Sequence, residues 1–369
     1  MNSIDWIDSI PSTKIHTDDL RPKTIADVSI IIPIYNGAEW IDDCFGSIIL
    51  QTAKFPLKLE VSVFNDASDD NTENKLLCWH DICQKHNITL TVNKSDAVAP
   101  RGVGFAKNQA VKFSTGSYLC FQDVDDIMEP ERVIMQYSAA KERCNSIIGC
   151  KFKRIPEGST SRFTYWANSL SEDQLHKQIY TSHGPTLIMP TWFCSRQVFD
   201  RVGGFDEDGK GTPEDLLFFY KHLDSGGQLF RVDRCLVIYR YHMHCTTFSV
   251  DEMTIWRIRL KRLQEQVLRS WKQFTIWNAG KLGRKLYRSL DPLYQSQLHM
   301  FCDVDRQKIG KYYIPYTKGI SYQRKIPIVH FTEAVCPMVI CVKMGLTGGC
   351  FEENLKSLNL TEGKDFVFF

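Results

Sequence analysis

The chain has 369 residues, of which 43% are hydrophobic and 24% charged, and its formal net charge at pH 7 is +2. This length is sufficient for two domains, and the near-neutral charge excludes a globally basic nucleic-acid-binding protein, so any such contact requires a local patch. The 13 cysteines include no Cys-x-x-Cys pair, which argues against a structural zinc site and against a disulfide framework.

Residues 1–26 are polar and charged and are predicted to be a loosely ordered lead-in. This stretch lacks an apolar core of signal-peptide length, and no later segment reaches the roughly 18 apolar residues of a membrane span. The sequence therefore predicts a cytoplasmic or nuclear protein with reduced thiols and no membrane span.

From residue 28 onward the predicted elements alternate between strand and helix. Val28–Tyr35 is a continuous apolar and β-branched run, as expected of a strand that is buried on both faces. Such alternation predicts a parallel, doubly wound α/β sheet, in which ligands bind beyond the carboxyl ends of the strands. The elements predicted after the first strand are helix 39–51, strand 59–64, helix 71–85, strand 89–92, helix 104–113 and strand 118–121.

Polar motifs follow three of these predicted strands. Pro33-Ile-Tyr-Asn36 ends the first strand, Asn65-Asp66 ends the second, and the run from Asp123 to Asp126 follows strand 118–121. Because parallel strands place their carboxyl ends at one rim of a sheet, we expect these motifs to converge.

The acidic run after strand 118–121 contains Asp123, Asp125 and Asp126. Carboxylates at one spot repel one another unless a cation neutralises them, and hard cations such as Mg²⁺ and Mn²⁺ prefer oxygen ligands. This pattern favours a metal site for a nucleotide diphosphate. The alternative is a solvated acidic turn at the start of the next helix, where aspartate is favourable in any case.

A basic segment and a second α/β unit come next. Residues 251–272 are predicted to be a basic helical linker, and residues 273–369 a smaller Rossmann-like domain. Residues 278–283 read Asn-x-Gly-x-x-Gly, a dinucleotide-binding fingerprint with its first glycine replaced, and Asp303 follows where a ribose-binding acid is expected. The predicted elements of this domain are strand 274–277, helix 284–290 and strands 298–303, 326–331 and 338–342.

Basic residues interleave with tryptophans in this second half. Together they suit a tRNA partner, through phosphate contacts and stacking on bases. The alternative is an amphipathic helix whose basic face is solvated and whose tryptophans lie in the core. The residues concerned are Arg257, Arg259, Lys261, Arg262, Arg269, Lys272, Lys281, Arg284, Lys285 and Arg288, with Trp256, Trp271 and Trp277.

The N-terminal half resembles the family 2 glycosyltransferases, which have the GT-A fold. The resemblance covers residues 27–250 and rests on motifs that keep their order and spacing, so it implies a GT-A glycosyltransferase domain over that range. The motifs are Ser-Ile-Ile-Ile-Pro-Ile-Tyr-Asn at 29–36, Asn-Asp-Ala-Ser-Asp-Asp at 65–70, Arg-Gly-Val-Gly-Phe-Ala-Lys-Asn at 101–108, Phe-Gln-Asp-Val-Asp-Asp at 121–126 and Pro-Glu-Asp at 213–215.

The whole chain is more closely similar to one subgroup of that family, through residues 190–196, 274–280 and 346–349. This subgroup is described both as queuosine-tRNA galactosyltransferase and as β-1,3-N-acetylglucosaminyltransferase-like. The resemblance implies UDP-galactose as the donor and queuosine in a tRNA anticodon as the acceptor. The alternatives are N-acetylglucosamine transfer to a β-galactoside, a non-catalytic scaffold that binds tRNA or a protein partner, and a dehydrogenase that uses the C-terminal unit.

The family resemblance implies residue roles around the UDP-sugar. Asp66 would accept a hydrogen bond from the uracil N–H, Tyr35 would stack on the base, Pro33 would shape the base pocket, and Asp123 would accept from the ribose hydroxyls. The alternative for Asp66 is an Asx-turn after a strand. The cations that would reach the phosphates, unless they are simply solvated, are Arg101 and Lys107.

The same resemblance implies a Mn²⁺ or Mg²⁺ ion on Asp125, held against the diphosphate. Asp126 would add a ligand or cap the next helix. Members of the family often carry a histidine near the metal, and the candidates are His242 and His244, which follow a predicted strand at 236–241. A structural role is the alternative for either histidine.

An inverting transferase needs a carboxylate that takes the proton from the acceptor hydroxyl. The family places this base in an acidic pair after a Gly-Gly-Phe-Asp segment, and here residues 203–206 precede Glu214 and Asp215. The resemblance implies that Asp215 is the base, and adjacent carboxylates raise each other's proton affinity. The alternative is an acidic first turn of a helix after Pro213. Trp192 would stack on a sugar or base, or pack in the core.

Overall fold

The computed structural model describes residues 26–51, 57–243, 245, 249–315 and 324–369. Within these ranges the chain forms two β-sheets, one of eight strands and one of six, with helices packed on their faces. The predicted lead-in, except for Ala26, and His244 lie outside the described residues.

The larger sheet has the strand order β3-β2-β1-β4-β7-β6-β8-β5. Its strands are β1 Val28–Ile34, β2 Leu59–Asn65, β3 Thr89–Lys94, β4 Tyr118–Phe121, β5 Ile127–Met128, β6 Ser146–Ile155, β7 Phe193–Ser195 and β8 Gln228–Arg240. The helices that accompany them are α1 Ile41–Ile49, α2 Thr72–Lys85, α3 Val103–Lys112, α4 Arg132–Glu142, α5 Ser161–Ser169, α6 Glu172–Lys177, α7 Arg196–Val202 and α8 Glu214–Asp224.

Strand β1 is buried on both faces, as its apolar sequence predicts. Its side chains alternate, so that Ile30, Ile32 and Ile34 join one buried cluster while Ile31 joins the other. Burial on both faces explains why the strand reads as a continuous apolar run rather than an alternating one.

The prediction of a parallel sheet holds for only part of the larger sheet. β1 pairs in parallel with β2 and β4, and β2 with β3, but β7 runs antiparallel to β4 and β6, and β5 runs antiparallel to β8. β7 has three residues and β5 has two, which is too short for a recognisable strand pattern. β6 and β8 also pair in parallel, and the three polar motifs follow β1, β2 and β4.

Helix α9, Glu252–Gln266, connects the two sheets. The smaller sheet has the order β11-β12-β10-β9-β13-β14 and is parallel except for β11. Its strands are β9 Phe274–Trp277, β10 Leu298–Asp303, β11 Tyr312–Tyr313, β12 Ile326–His330, β13 Met338–Ile340 and β14 Phe366–Phe368, and its helices are α10 Lys281–Ser289, α11 Pro292–Gln297 and α12 Cys350–Ser357. The prediction of an α/β fold with a second, smaller α/β unit is confirmed.

The predicted basic linker is in fact part of the core. Trp256, Leu260 and Leu263 of α9 belong to the same buried cluster as Phe219 of α8 and Phe274 of β9, so one core continues from the first sheet into the second. The buried tryptophan agrees with the amphipathic alternative for this helix.

The first turn of α10 lies very close to the end of β9. A Cβ added at Gly283 would lie 1.9 Å from the carbonyl oxygen of Asn278 and 3.0 Å from Cγ2 of Ile276. Neither the backbone carbonyl nor the buried isoleucine can move without disturbing the helix–strand contact. This explains the last glycine of the fingerprint as a packing requirement.

We expect Gly283→Ala to lower the free energy of unfolding by about 1–3 kcal/mol, because the new methyl group overpacks this contact. Chemical denaturation measures the change. Gly46→Ala in α1 is the matched control, since nothing lies within 4 Å of a Cβ there, and it should be neutral or slightly stabilising. Equal stability of the Gly283→Ala variant and the unaltered protein would contradict the prediction.

Candidate active site

The polar motifs meet at the carboxyl rim of the larger sheet. The backbone N–H of Asp66 donates to the carbonyl of Ile34 at 2.8 Å, and the N–H of Gln122 donates to the carbonyl of Ile31 at 3.0 Å. These bonds continue the pairing of β2 and β4 with β1 just past the strands. Tyr35, Asp66 and the acidic run after β4 therefore lie at one edge, as predicted.

Asp66 presents one satisfied and one unsatisfied oxygen. Its Oδ2 accepts hydrogen bonds from the backbone N–H groups of Arg101 and Gly102, each at 2.8 Å, whereas its Oδ1 is buried without a partner in the described part of the chain. Burial raises the pKa of this carboxyl group. The neighbouring Tyr35 is 50% exposed. A buried acceptor beside an accessible ring fits a planar ligand that donates an N–H.

The acidic run brings three carboxyl groups together. One oxygen each of Asp123, Asp125 and Asp126 lies within 4.8 Å of the others. Asp126 is buried; its Oδ1 accepts from the backbone N–H of Arg240 at 2.8 Å, and its Oδ2 has no partner among the described residues. Burial and then the Asp125 charge hold the pKa of Asp126 well above its ordinary value. An unsatisfied buried carboxylate in an all-oxygen set fits a hard divalent cation.

His242 lies beside this cluster, although it is far away in the sequence. Its Nε2 is 2.9 Å from Oδ2 of Asp125, and the Cys245 thiol is close enough to share a metal with both. The imidazole stacks on Trp40 with ring centroids 5.3 Å apart, and the Arg240 guanidinium lies 4.4 Å from the centroid of the same indole. Trp40, Arg240 and Cys245 were not predicted, and only the adjacency of Trp40 to the Asn-Gly turn hints at a role.

A buried polar network holds the acidic run in place. The Gln122 side-chain amide donates to the carbonyls of Asp123 and Asp126, at 2.9 and 2.8 Å. Arg132 is fully buried and donates to Oε1 of Gln122 at 2.5 Å and to the carbonyl of Phe121 at 2.7 Å. The backbone of the acidic run is therefore fixed before any ligand binds. Sequence reasoning missed Arg132, because nothing local distinguishes it from a solvated helix cation.

The candidate base lies in the first turn of α8. Burial and then the Glu214 charge raise the pKa of Asp215 to about 7. Its Oδ1 accepts from the backbone N–H of Leu216 at 2.6 Å. Burial is also the main cause that raises the pKa of Asp123 to about 6. Glu214 is buried, whereas Asp215 keeps a partly accessible surface that can meet a substrate.

Lys107 lies in a different place from the predicted one. The sequence prediction assigned it to the donor phosphates, but its ammonium is buried and donates to Oε1 of Glu214 at 2.9 Å, and the two side chains are 3% and 11% exposed. Burial alone would lower the pKa of Lys107, but the Glu214 and Asp123 carboxylates outweigh it and raise that pKa. Lys107 therefore joins the acidic run to the candidate base rather than facing the rim.

The segment before α8 is anchored to α3. Asn108 donates from its amide to the carbonyl of Phe205 at 2.9 Å and accepts from the N–H of Phe205 at 2.8 Å. A Cβ at Gly104 would lie 2.0 Å from the carbonyl oxygen of Asp206. The glycine and the asparagine of the Arg-Gly-Val-Gly-Phe-Ala-Lys-Asn motif thus position the residues that lead to Asp215.

Two further predicted residues have different environments. The Arg101 side chain is 54% exposed, and its guanidinium lies 3.6 Å from the ring centroid of Phe105, so it can reach a ligand at the rim. Trp192 is buried in the core, where its indole N–H donates to the carbonyl of Leu187 at 2.7 Å. Of the two alternatives for Trp192, the structure supports core packing.

In the smaller sheet, Asp303 stands where a ribose-binding acid is expected, and both of its carboxylate oxygens already accept hydrogen bonds within the protein. Oδ2 of Asp303 accepts from the N–H of Ala279 at 2.9 Å and from the Lys308 ammonium at 3.2 Å, and its Oδ1 accepts from the N–H groups of Val304 and Asp305. Asn278, which replaces the first fingerprint glycine, accepts from the N–H of Gly280 within the same turn. These contacts close the loop on itself and disfavour the dinucleotide hypothesis.

Comparisons with known proteins find similarity to glycosyltransferases. Residues 29–203 match the family described as Glycosyl transferase family 2. The chain is 28% identical, over 80% of its length and 90% of the other chain, to the uncharacterized glycosyltransferase RP339 of Rickettsia prowazekii. It is 26% identical to the uncharacterized glycosyltransferase EpsJ of Bacillus subtilis, over 60% of this chain and 62% of that one.

Among solved structures, the chain is similar to S. aureus TarS, with a TM-score of 0.50 and 19% identity over 64% of this chain and 39% of that chain. The predicted GT-A fold is confirmed. Among the described helices, none has the length and apolarity that crossing a membrane requires.

We expect Lys107→Met to lower the free energy of unfolding by about 3–5 kcal/mol, because it leaves the Glu214 carboxylate buried without its counter-charge. Urea denaturation measures the loss. The double variant Lys107→Met/Glu214→Gln should recover part of it, since no unpaired charge is left. Lys94→Met removes the exposed ion pair with Glu73 and should have little effect. A single Lys107→Met variant as stable as the double variant would refute the explanation.

Proposed function

We propose that this chain, whose residues 29–203 match the family described as Glycosyl transferase family 2, is an inverting, metal-dependent glycosyltransferase that uses a UDP-sugar. The observation that carries the proposal is the meeting of two features at one rim. These are an acidic cluster with an unsatisfied buried oxygen on Asp126 and a partly accessible Asp215 of raised pKa. Perturbed carboxyl groups of this kind concentrate at catalytic sites.

The donor nucleotide would bind between Tyr35 and the start of α3. The unpaired Oδ1 of Asp66 would accept from the uracil N–H, and the half-exposed Tyr35 ring would cover the base. Pro33 shapes this pocket, and Asp123 would accept from the ribose hydroxyls. Arg101, whose side chain is exposed at the rim, would neutralise part of the diphosphate charge.

Asp125 belongs both to the set with Asp123 and Asp126 and to the set with His242 and Cys245, and with Asp126 and His242 it would hold Mn²⁺ or Mg²⁺. Oxygen ligands with one imidazole suit either ion, and the unsatisfied Oδ2 of Asp126 is available to it. When bound, the ion supplies positive charge to the leaving diphosphate. Gln122 and Arg132 keep the carboxylates in position before the ion and the donor arrive.

Asp215 would act as the general base. It takes the proton from the acceptor hydroxyl while that oxygen bonds to the anomeric carbon, and the bond from that carbon to the diphosphate oxygen breaks. The electron pair leaves with UDP. A single displacement inverts the configuration, so an α-linked donor gives a β-linked product. Glu214 faces Lys107 rather than the acceptor, and we assign it the positioning of Asp215 in place of a direct catalytic role.

The donor sugar is proposed to be galactose and the acceptor queuosine in a tRNA anticodon. The support for this is the similarity of residues 190–196, 274–280 and 346–349 to the subgroup described above. The rival acceptor is a β-galactoside that receives N-acetylglucosamine, and the rival class is a scaffold that binds tRNA or a protein. The dehydrogenase alternative has less support, because Asp303 is bonded within its own loop.

We expect Asp125→Asn to lower sugar transfer by about 10²–10³-fold without loss of folding, because stabilisation of the leaving group by the ion is lost. Queuosine-containing tRNA is incubated with protein, Mn²⁺ and either UDP-galactose or UDP-N-acetylglucosamine, and its nucleosides are analysed by mass spectrometry. A gain of one hexose with UDP-galactose alone is expected.

Asp81→Asn, at an exposed position of α2, is the matched control and should transfer normally. A gain of N-acetylhexosamine instead would replace the donor assignment. Full activity of the Asp125→Asn variant would reject the metal role. No transfer from either donor, by protein that still binds UDP, would reject the queuosine acceptor.

The pH dependence of transfer should reflect Asp215. The carboxylate is the active form and its pKa is raised to about 7, so kcat/KM should fall roughly tenfold per pH unit below that value and level off above it. Initial rates between pH 5.5 and 8.5 at constant ionic strength measure the profile. A profile that is flat across this range would show that a group of ordinary acidity, or none, takes the proton.

A further inference from the structure

We infer that three cations from separate elements, Arg162 of α5, Lys285 of α10 and Lys343 after β13, form a surface that binds the backbone phosphates of an RNA acceptor beside Asp215. We call this set the basic rim. The inference rests on the proposed function, because it assigns a surface to the acceptor of that reaction. It gives the C-terminal α/β unit a role in substrate binding rather than in nucleotide binding.

The segment 180–184 forms a wall next to the candidate base. A Cβ at Gly184 would lie 3.8 Å from Oδ2 of Asp215, so this glycine is the neighbour of the carboxylate on that side. His183 beside it is partly accessible to solvent and partly covered by the protein. At the other end of the segment, the buried guanidinium of Arg259 donates to the carbonyl of Tyr180. The wall therefore runs from the base to helix α9.

Helix α9 brings the C-terminal unit to this wall. Trp256 and Arg259 are three residues apart and so share one face of the helix. The Lys285 ammonium of α10 lies 4.0 Å from the centroid of the Trp256 ring. Lys285 therefore lies against Trp256, which is one turn of α9 from Arg259, the residue that donates to the carbonyl of Tyr180.

The loop after β13 also brings the C-terminal unit close to the first sheet. A Cβ at Gly345 would lie 3.8 Å from the Arg162 side chain, so this loop touches α5 of the first sheet. Lys343 precedes that contact by two residues and is exposed, as is Arg162. Both sheets thus contribute cations to the same region.

Nearby charged side chains shift the pKa of His183 in this wall. Burial lowers the pKa of His183, and the positive charges of Arg259, Lys343 and Lys285 lower it further, while Glu252 acts in the opposite direction. Lys343 and Lys285 of the basic rim therefore both lie close enough to His183 for their charges to act on it. This agrees with the placement derived from the contacts.

The cations of the basic rim are available to a ligand. In the described ranges, Arg162, Lys285 and Lys343 form no ion pair, whereas on α9 Arg262 pairs with Asp224 and Lys261 lies 3.9 Å from Glu265. Cations that have no ion-pair partner repel one another unless a polyanion neutralises them. Spaced phosphates of a single-stranded loop suit that arrangement, because the reacting nucleotide can reach the base while its neighbours contact the rim.

The test compares Lys285→Ala/Lys343→Ala with the unaltered protein in tRNA binding and in transfer. Filter binding of queuosine-containing tRNA across a series of salt concentrations gives the slope of log K against log salt. The variant should lower the magnitude of this slope by roughly 2, about one for each lysine, and raise the KM for tRNA about tenfold or more. The loss should appear in KM rather than in kcat. Lys85→Ala, an exposed lysine at the end of α2, is the control and should change neither quantity.

Arg162→Ala is a second, independent variant, because Lys285 also packs on Trp256 and its loss could disturb the fold. It should weaken the salt dependence by about one unit of slope. Normal transfer, slope and KM in the folded variants would overturn the basic rim while leaving the proposed function intact. Salt-dependent tRNA binding that the variants lose, in protein that transfers no sugar, would support the rim and reject the activity. Absence of tRNA binding by the unaltered protein would overturn the rim as well.

Discussion

A buried ion pair between Lys107 of α3 and Glu214 of α8 joins the two halves of the site. Taking two charges out of water costs free energy, and the pair is tolerated because the ammonium also lies near the Asp123 carboxylate. Helix α3 begins at the residues that bond Asp66, and α8 begins at the candidate base. The pair therefore links the proposed donor pocket to the candidate base.

Crowded carboxylates are the second constraint on this rim. Asp123, Asp126 and Asp215 all have pKa values raised chiefly by burial, so without a cation the site holds its negative charge at a cost. The Lys107 ammonium neutralises part of this negative charge. A divalent ion on the solvent side would compensate the rest, which links ion binding to the stability of the rim.

The two sheets act together because one core runs through α9. The cations of this helix are mostly committed to protein contacts: Arg259 to the carbonyl of Tyr180 and Arg262 to Asp224. The positive charge that is left for a partner lies instead on α5, α10 and the loop after β13. A basic helix in the sequence was thus a poor guide to where a polyanion would bind, because burial and pairing decide which charges are available.

The sequence by itself determined the α/β class, strands such as Tyr118–Phe121, and the convergence of Asp66 with Asp123–Asp126, because hydrophobic period and strand ends are local properties. Only the tertiary structure decided the antiparallel course of β7 and the pairing of Lys107 with Glu214, and it separated the two alternatives for His242 by placing this histidine against Asp125. The two side-chain contacts join residues that are 107 and 117 positions apart. No local pattern encodes such contacts, since they depend on how the sheet, its helices and the buried charges pack together.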